Sequence, residues 1–193
     1  MCRTTEFQRG LTLIELIIFI VVISVGLAGI LAVYNTVVMH SGEPMTRKQA
    51  LAIAESLLLE IEQQPFTWCD PQDANAGVAT NGVVGGAGGC ATMSQSALEP
   101  SPSTETRGGT DPFDNVADYA AYTEAQVKDI AGNTNTSPHL AGYSVAVAIT
   151  PAGGTGAFAD LPLDAVLRIE VTVSGHRETI SLVGYRTRYA PRG

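Results

Sequence analysis

The chain has 193 residues, 45% hydrophobic and only 16% charged, and 11 Lys and Arg against 19 Asp and Glu give it a formal net charge of −8. That length suits one domain of ordinary size, and an acidic chain without a basic run is poorly built to hold nucleic-acid phosphates. Three cysteines and three histidines leave little material for a zinc site or a dense disulfide framework.

The apolar residues are gathered near the N-terminus. From Leu16 through Gly42 there is no Asp, Glu, Lys or Arg, and Leu16–Met39 reads LIIFIVVISVGLAGILAVYNTVVM. Wound as a helix, this stretch rises about 36 Å, enough to cross a hydrocarbon core of about 30 Å. It shows no polar face, so a membrane-spanning helix is expected. The run outlasts the roughly 7–15 residues of a secretory signal's apolar region, and no A-x-A site follows it. Arg3 and Arg9 ahead of it favour a cytoplasmic N-terminus, and Arg47 and Lys48 beyond it weaken that bias without reversing it. Glu15 sits inside the run, at a depth where a carboxylate costs about 2.5–3.5 kcal/mol and calls for a partner.

The stretch Arg9-Gly10-Leu11-Thr12-Leu13-Ile14-Glu15, leading into the long apolar run, resembles the class III signal of type IV pilins and type II secretion pseudopilins. The resemblance implies that residues 1–10 are a leader and that a prepilin peptidase cuts between Gly10 and Leu11 on the cytoplasmic side of the inner membrane. The new amine of Leu11 is then N-methylated; leucine departs here from the commoner phenylalanine or methionine. Glu15 becomes an assembly residue, neutralising the Leu11 amine of a neighbouring subunit, because burying either charge alone is costly. The partners implied are other pilin subunits through the N-terminal helix, the prepilin peptidase, the inner-membrane assembly platform and, before assembly, the lipid bilayer.

On that reading residues 11–40 form the transmembrane half of a long helix. Ser24, Ala28 and Ala32 repeat as a small-residue stripe that lets helices approach closely. Gly26 and Gly29 each lower helix propensity by about 1 kcal/mol relative to alanine, which would permit the local melting known in pilin helices on assembly. Residues 41–65 form the amphipathic half. Gly42 and Pro44 mark a break, Ala50, Ile53, Ala54, Leu57, Leu58 and Ile61 supply the apolar face, and Arg47, Lys48, Glu55, Glu60 and Glu62 are available for the other. Pro65 stops the helix.

Residues 66–141 read as a loop-rich variable region. The run Val83–Cys90 is a flexible glycine loop rather than a phosphate loop, since no GK[ST] follows it. With Cys2 lost in the leader, the resemblance leaves Cys69 and Cys90 in an oxidising periplasm, where two such cysteines pair; buried free thiols are the alternative. Asp111, Asp114 and Asp118 lie close in sequence; some pseudopilins bind calcium through acidic loops, so the resemblance leaves a hard-cation site open there, but the spacing is not that of an EF-hand and a solvated acidic turn, with no metal, is the expected reading. The surrounding Phe113–Tyr119 is similar to F-D-N-V-x-D-Y segments of minor pilin-like proteins.

Residues 142–193 read as antiparallel sheet, with strands over 142–150, 165–173 and 178–185, the last two joined through Ser174-Gly175-His176-Arg177. Helix plus sheet gives an α+β, pilin-like architecture. Glu60–Phe66 (EIEQQPF) and Gly184–Tyr189 (GYRTRY) resemble the MshD family, minor pilins of the mannose-sensitive haemagglutinin system. His40, His139 and His176 fall in separate regions without a nucleophile or carboxylate at catalytic spacing, so neither an enzyme nor a cofactor is expected. Two other functions stay open: a minor pseudopilin of a type II secretion system, and a pilus-tip binding module. The acidic charge counts against DNA as a ligand unless Arg177, Arg186, Arg188 and Arg192 form a local patch.

Overall fold

A computed structural model of the chain describes residues 12–40, 43–134 and 140–188. Two compact units divide it, Met1–Met45 and Thr46–Gly193.

Helix α1 (Leu13–His40) dominates the first unit. Its Leu13–Val38 portion is long and apolar enough to cross a membrane, with a mean hydropathy of 3.1 and none of its window buried. The hydroxyls within it are satisfied by the helix itself: Ser24 Oγ donates to the Ile20 carbonyl at 2.7 Å and Thr36 Oγ1 to the Ala32 carbonyl at 3.0 Å. A helix facing lipid requires that internal satisfaction. A Cβ at Gly26 or Gly29 would meet nothing within 4 Å, so packing inside the chain demands neither glycine.

Helix α2 (Glu43–Gln63) opens with Pro44 in its first turn and ends two residues before Pro65. The break read at Gly42 lies outside the described residues. Ala50, Ala54, Leu57 and Ile61, one helical stripe, are fully or nearly buried, with Ile53 and Leu58 half-buried beside them.

Their partner is an antiparallel meander of β1 (Thr123–Glu124), β2 (Ser144–Pro151), β3 (Val166–Gly175) and β4 (Glu178–Thr187), in that spatial order. Period-two alternation turns Val145, Val147, Ile149, Leu167, Ile169, Val171 and Val173 into the core. The outer face is mixed: Arg168 meets Glu170 at 2.7 Å and Ser181 Oγ donates to Glu170 at 2.8 Å, opposite the exposed Tyr185 and Val183. At Gly184 the sheet comes so close to α2 that a Cβ would collide with Glu62 Oε1. The layout is α+β and pilin-like, a long apolar N-terminal helix followed by a small antiparallel sheet.

Two details differ from the sequence expectation. The β3–β4 connection is a two-residue turn, since both strands extend to flank His176 and Arg177, whose φ values are 49° and 69°. That is the geometry of a type I′ hairpin turn, which asparagine and glycine fill with less strain. A bond of 3.0 Å between His176 Nε2 and the Ala141 carbonyl, and ring contact with Tyr143, hold it there. The fourth strand, β1, comes from the segment read as loop-rich: Thr123 pairs with Ala146 and Glu124 with Val145.

Between α2 and β1 the regular structure is a single 3₁₀ turn, Val116–Tyr119. It is closed by a reciprocal cap: Asn115 Oδ1 accepts the Ala117 N–H at 3.1 Å, and Asp118 Oδ2 accepts the Asn115 N–H at 2.7 Å. Val116 and Tyr119 are buried, Phe113 meets Tyr119 edge-on at 4.9 Å, and Asn115 Nδ2 donates to Thr67 Oγ1 at 3.0 Å. The F-D-N-V-x-D-Y segment is thus a latch on the end of α2.

Candidate functional site

Gly10 and Leu11, the expected cleavage pair and methylation site, lie outside the described residues. The description begins at Thr12, which caps α1: its Oγ1 and its carbonyl accept the Glu15 N–H at 3.4 and 3.1 Å. Thr12-Leu13-Ile14-Glu15 is the T-x-x-E pattern of a capping box, a signal present in the sequence that explains Glu15 in local terms. Glu15 occupies the first turn of the helix, where the unsatisfied N–H groups favour a negative charge.

Cys69 and Cys90 are joined by a disulfide with Cα atoms 5.4 Å apart, and both residues are buried. Asp73 organises the loop they close. Its carboxylate accepts the backbone N–H groups of Asn75, Ala91, Thr92 and Met93 at 2.7–2.9 Å and the Thr92 hydroxyl at 3.2 Å. Those donors, Met93 foremost, hold its pKa far below the ordinary carboxylate range.

The acidic residues do not form a solvated turn. Asp118 is 1% exposed, used by the 3₁₀ cap and by Gln95 Nε2 at 2.8 Å, while Asp111 takes a bond of 2.8 Å from Gln72 Nε2. Asp114 instead converges with two residues the sequence did not single out: one carboxylate oxygen each from Asp70, Glu105 and Asp114 lie within 4.8 Å of one another. Asp70 is 0% and Glu105 2% exposed. Asp70 Oδ1 accepts the Gln72 N–H at 2.7 Å. Asp70 Oδ2, both Glu105 oxygens and Asp114 Oδ1 are buried without an N–H or hydroxyl donor, and the Glu105 carboxyl instead shares hydrogen bonds with the Asp70 and Asp118 carboxyls. Desolvation, reinforced by neighbouring carboxylates, pushes Glu105 up to about 9 and Asp114 up to about 6.

Of the arginines considered as a basic patch, Arg186 and Arg188 lie together beside Pro65–Trp68, and Arg177 stands apart from them. Arg177 sits at the hairpin and Arg186 at the other end of β4, about 30 Å of strand away. Arg186 Nε donates to the Gln64 carbonyl at 3.2 Å, and Arg188 lies over Trp68 at 3.6 Å and Phe66 at 4.1 Å. Arg192 and His139 lie outside the described residues.

Residues 7–31 match the family model of the prokaryotic N-terminal methylation motif. The motif supports a type IV pilin or pseudopilin-like protein and points to a structural, non-enzymatic role. Together with the apolar helix it fits membrane anchoring and a pilus. No curated protein and no solved structure matches the chain.

Proposed function

We propose that the chain is a minor type IV pilin of MshD type, cleaved between Gly10 and Leu11, N-methylated on Leu11 and assembled into a pilus or used to prime one. The observation that carries this reading is the coincidence of the methylation motif over residues 7–31 with the membrane-length helix Leu13–Val38. Before assembly α1 anchors the subunit in the inner membrane as a single pass, N-terminus cytoplasmic and Thr46–Gly193 periplasmic. Prepilin peptidase, the assembly platform and other pilins act on or bind this N-terminal segment.

Type II secretion pseudopilins share such an N-terminus. The pilus reading is favoured by the two MshD-like segments, which meet in space: Arg186 bonds to Gln64, Arg188 stacks on Phe66, and Gly184 abuts Glu62. The test is intact mass and N-terminal sequence of the chain expressed with an active prepilin peptidase, followed by probing of sheared pili. The expected result is N-methyl-Leu11 at the start and the subunit in the pilus fraction. Retention of Met1, or absence from sheared pili and from their initiation, overturns the reading.

A further inference from the structure

We propose that the cavity between the segment after α2 and the end of β4 binds a small carboxylic acid with an apolar body, its carboxylate held by Arg188. The inference stands independently of the N-terminal reading and gives the unit Thr46–Gly193 a recognition role of its own. The cavity measures about 440 Å³, within the range of about 300–1,000 Å³ usual for small-ligand sites. Phe66, Trp68, Pro71 and Ala79 supply apolar wall, and Arg186 and Arg188 supply positive charge. Apolar walls with a few placed polar groups are the ordinary make-up of a small-molecule pocket. Here the placed charge is positive, in a chain whose formal net charge is −8.

Arg188 is what points to an anion. Its guanidinium lies 3.6 Å from the Trp68 ring centre and 4.1 Å from that of Phe66, and its Nε and Nη1 are buried without an acceptor. Burial pulls its pKa down to about 10, with the charge of Asp164 opposing the shift. Ring stacking engages the faces of a guanidinium and leaves its N–H groups, which lie in the plane, to be matched elsewhere. Either edge of that plane, Nε with Nη2 or Nη1 with Nη2, can hold a carboxylate through two parallel bonds. Each edge carries one of the unmatched nitrogens. Arg107 shows the complete arrangement in the same chain: it sits 5.9 Å from the Tyr122 ring centre, and Glu60 occupies its Nε–Nη2 edge with both bonds at 2.7 Å. Among the described residues no carboxylate takes that place on Arg188, and one brought by a ligand would. The stack already fixes the guanidinium, so little ordering is needed on binding. Arg186 donates Nε to the Gln64 carbonyl, which leaves Arg188 as the anchor and Arg186 as a supporting charge. One planar fork set in apolar walls fits a planar monoanion, and free phosphate is the alternative that the test separates.

Trp68, the chain's single tryptophan, lies in the cavity wall and supplies the readout. The full-length chain in a non-ionic detergent is titrated with benzoate, with its neutral isostere benzamide and with inorganic phosphate, following Trp68 fluorescence. The expected result is a saturable change with benzoate at a Kd below about 1 mM. Benzamide and phosphate should each bind at least about 10-fold more weakly, because one lacks the charge and the other the planar match. Arg188→Gln should weaken benzoate at least about 10-fold. Arg188→Lys keeps the charge over the rings but not the fork, and should fall between that variant and wild type. The wild-type titrations stand whether or not either variant folds. No saturable change up to about 10 mM benzoate overturns the proposal. So does benzamide binding as tightly as benzoate, phosphate binding more tightly than benzoate, or undiminished benzoate affinity in both variants.

Discussion

Arg107 and Glu60, 47 residues apart in sequence, meet in a forked ion pair, with Nε–Oε1 and Nη2–Oε2 both at 2.7 Å. Their side chains are only 11% and 12% exposed. Tyr119 adds its hydroxyl to Glu60 Oε1 at 2.9 Å, and Arg107 Nη1 reaches the Lys128 and Asp129 carbonyls at 3.3 Å each. Glu60, read from sequence as available for the polar face of α2, is instead the post to which the loop region is tied.

Removing one partner of such a pair strands a charge in a site with little water. Arg107→Ala should cost about 3–5 kcal/mol in chemical denaturation. Arg107→Lys keeps the charge but loses the planar fork, and should fall between the variant and wild type. A loss below about 1 kcal/mol for Arg107→Ala would mean that the pair behaves as an ordinary surface contact.

The parts of the fold legible in the sequence are those with a period. The spacing of Ala50, Ala54, Leu57 and Ile61 marks the buried stripe of α2, and alternation through Ile169, Val171 and Val173 marks a strand. The region from Cys69 to Tyr122 has no period because isolated turns and side chains rather than ladders satisfy its backbone, as the Thr80–Gly88 bond, Asp73 and Asp118 do. Asp70 and Glu105 carry no local signal at all, since only the folded path brings them to Asp114. Thr12 as the cap of α1 was legible, as T-x-x-E ahead of an apolar run.

The disulfide should contribute through the unfolded state. Cys69 and Cys90 are 21 residues apart, and closing a loop of that size is worth about 3 kcal/mol in the chain-entropy account. Alkylation of the mature, non-reduced protein should find no free thiol, and dithiothreitol should lower its melting temperature. Labelling of both cysteines without reductant would show that they exist as free thiols in the cell.

Asp73 gives the molecule an acid limit. Its pKa is depressed in the folded state, so its contribution is fully present above the unfolded value of about 3.9 and is lost as pH falls toward the folded one. Asp70, the carboxylate nearest in sequence, is shifted upward by burial and is present in both proteins compared. Asp73→Asn should therefore melt well below wild type at neutral pH, and the gap should narrow below about pH 4. A gap of constant size down to pH 2 would assign the loss to packing rather than to charge.

Glu15 has two competing explanations, and one substitution separates them. Locally it is the third residue of a capped helix, with its N–H held by Thr12 and its carboxylate in a first turn that favours negative charge. In the assembly reading the same carboxylate neutralises the methylated Leu11 amine of a neighbouring subunit. Glutamine serves a capping box as well as glutamate does, so Glu15→Gln preserves the local role while deleting the charge. Membrane insertion should persist, slightly easier without a carboxylate in the apolar run, and cleavage after Gly10 should be unchanged. Entry into the filament should fall sharply, read as the amount of subunit in sheared pili and the number of surface pili per cell relative to wild type. If processed Glu15→Gln protein reaches the pili in normal amount and piliation is normal, the carboxylate acts only at the start of its own helix.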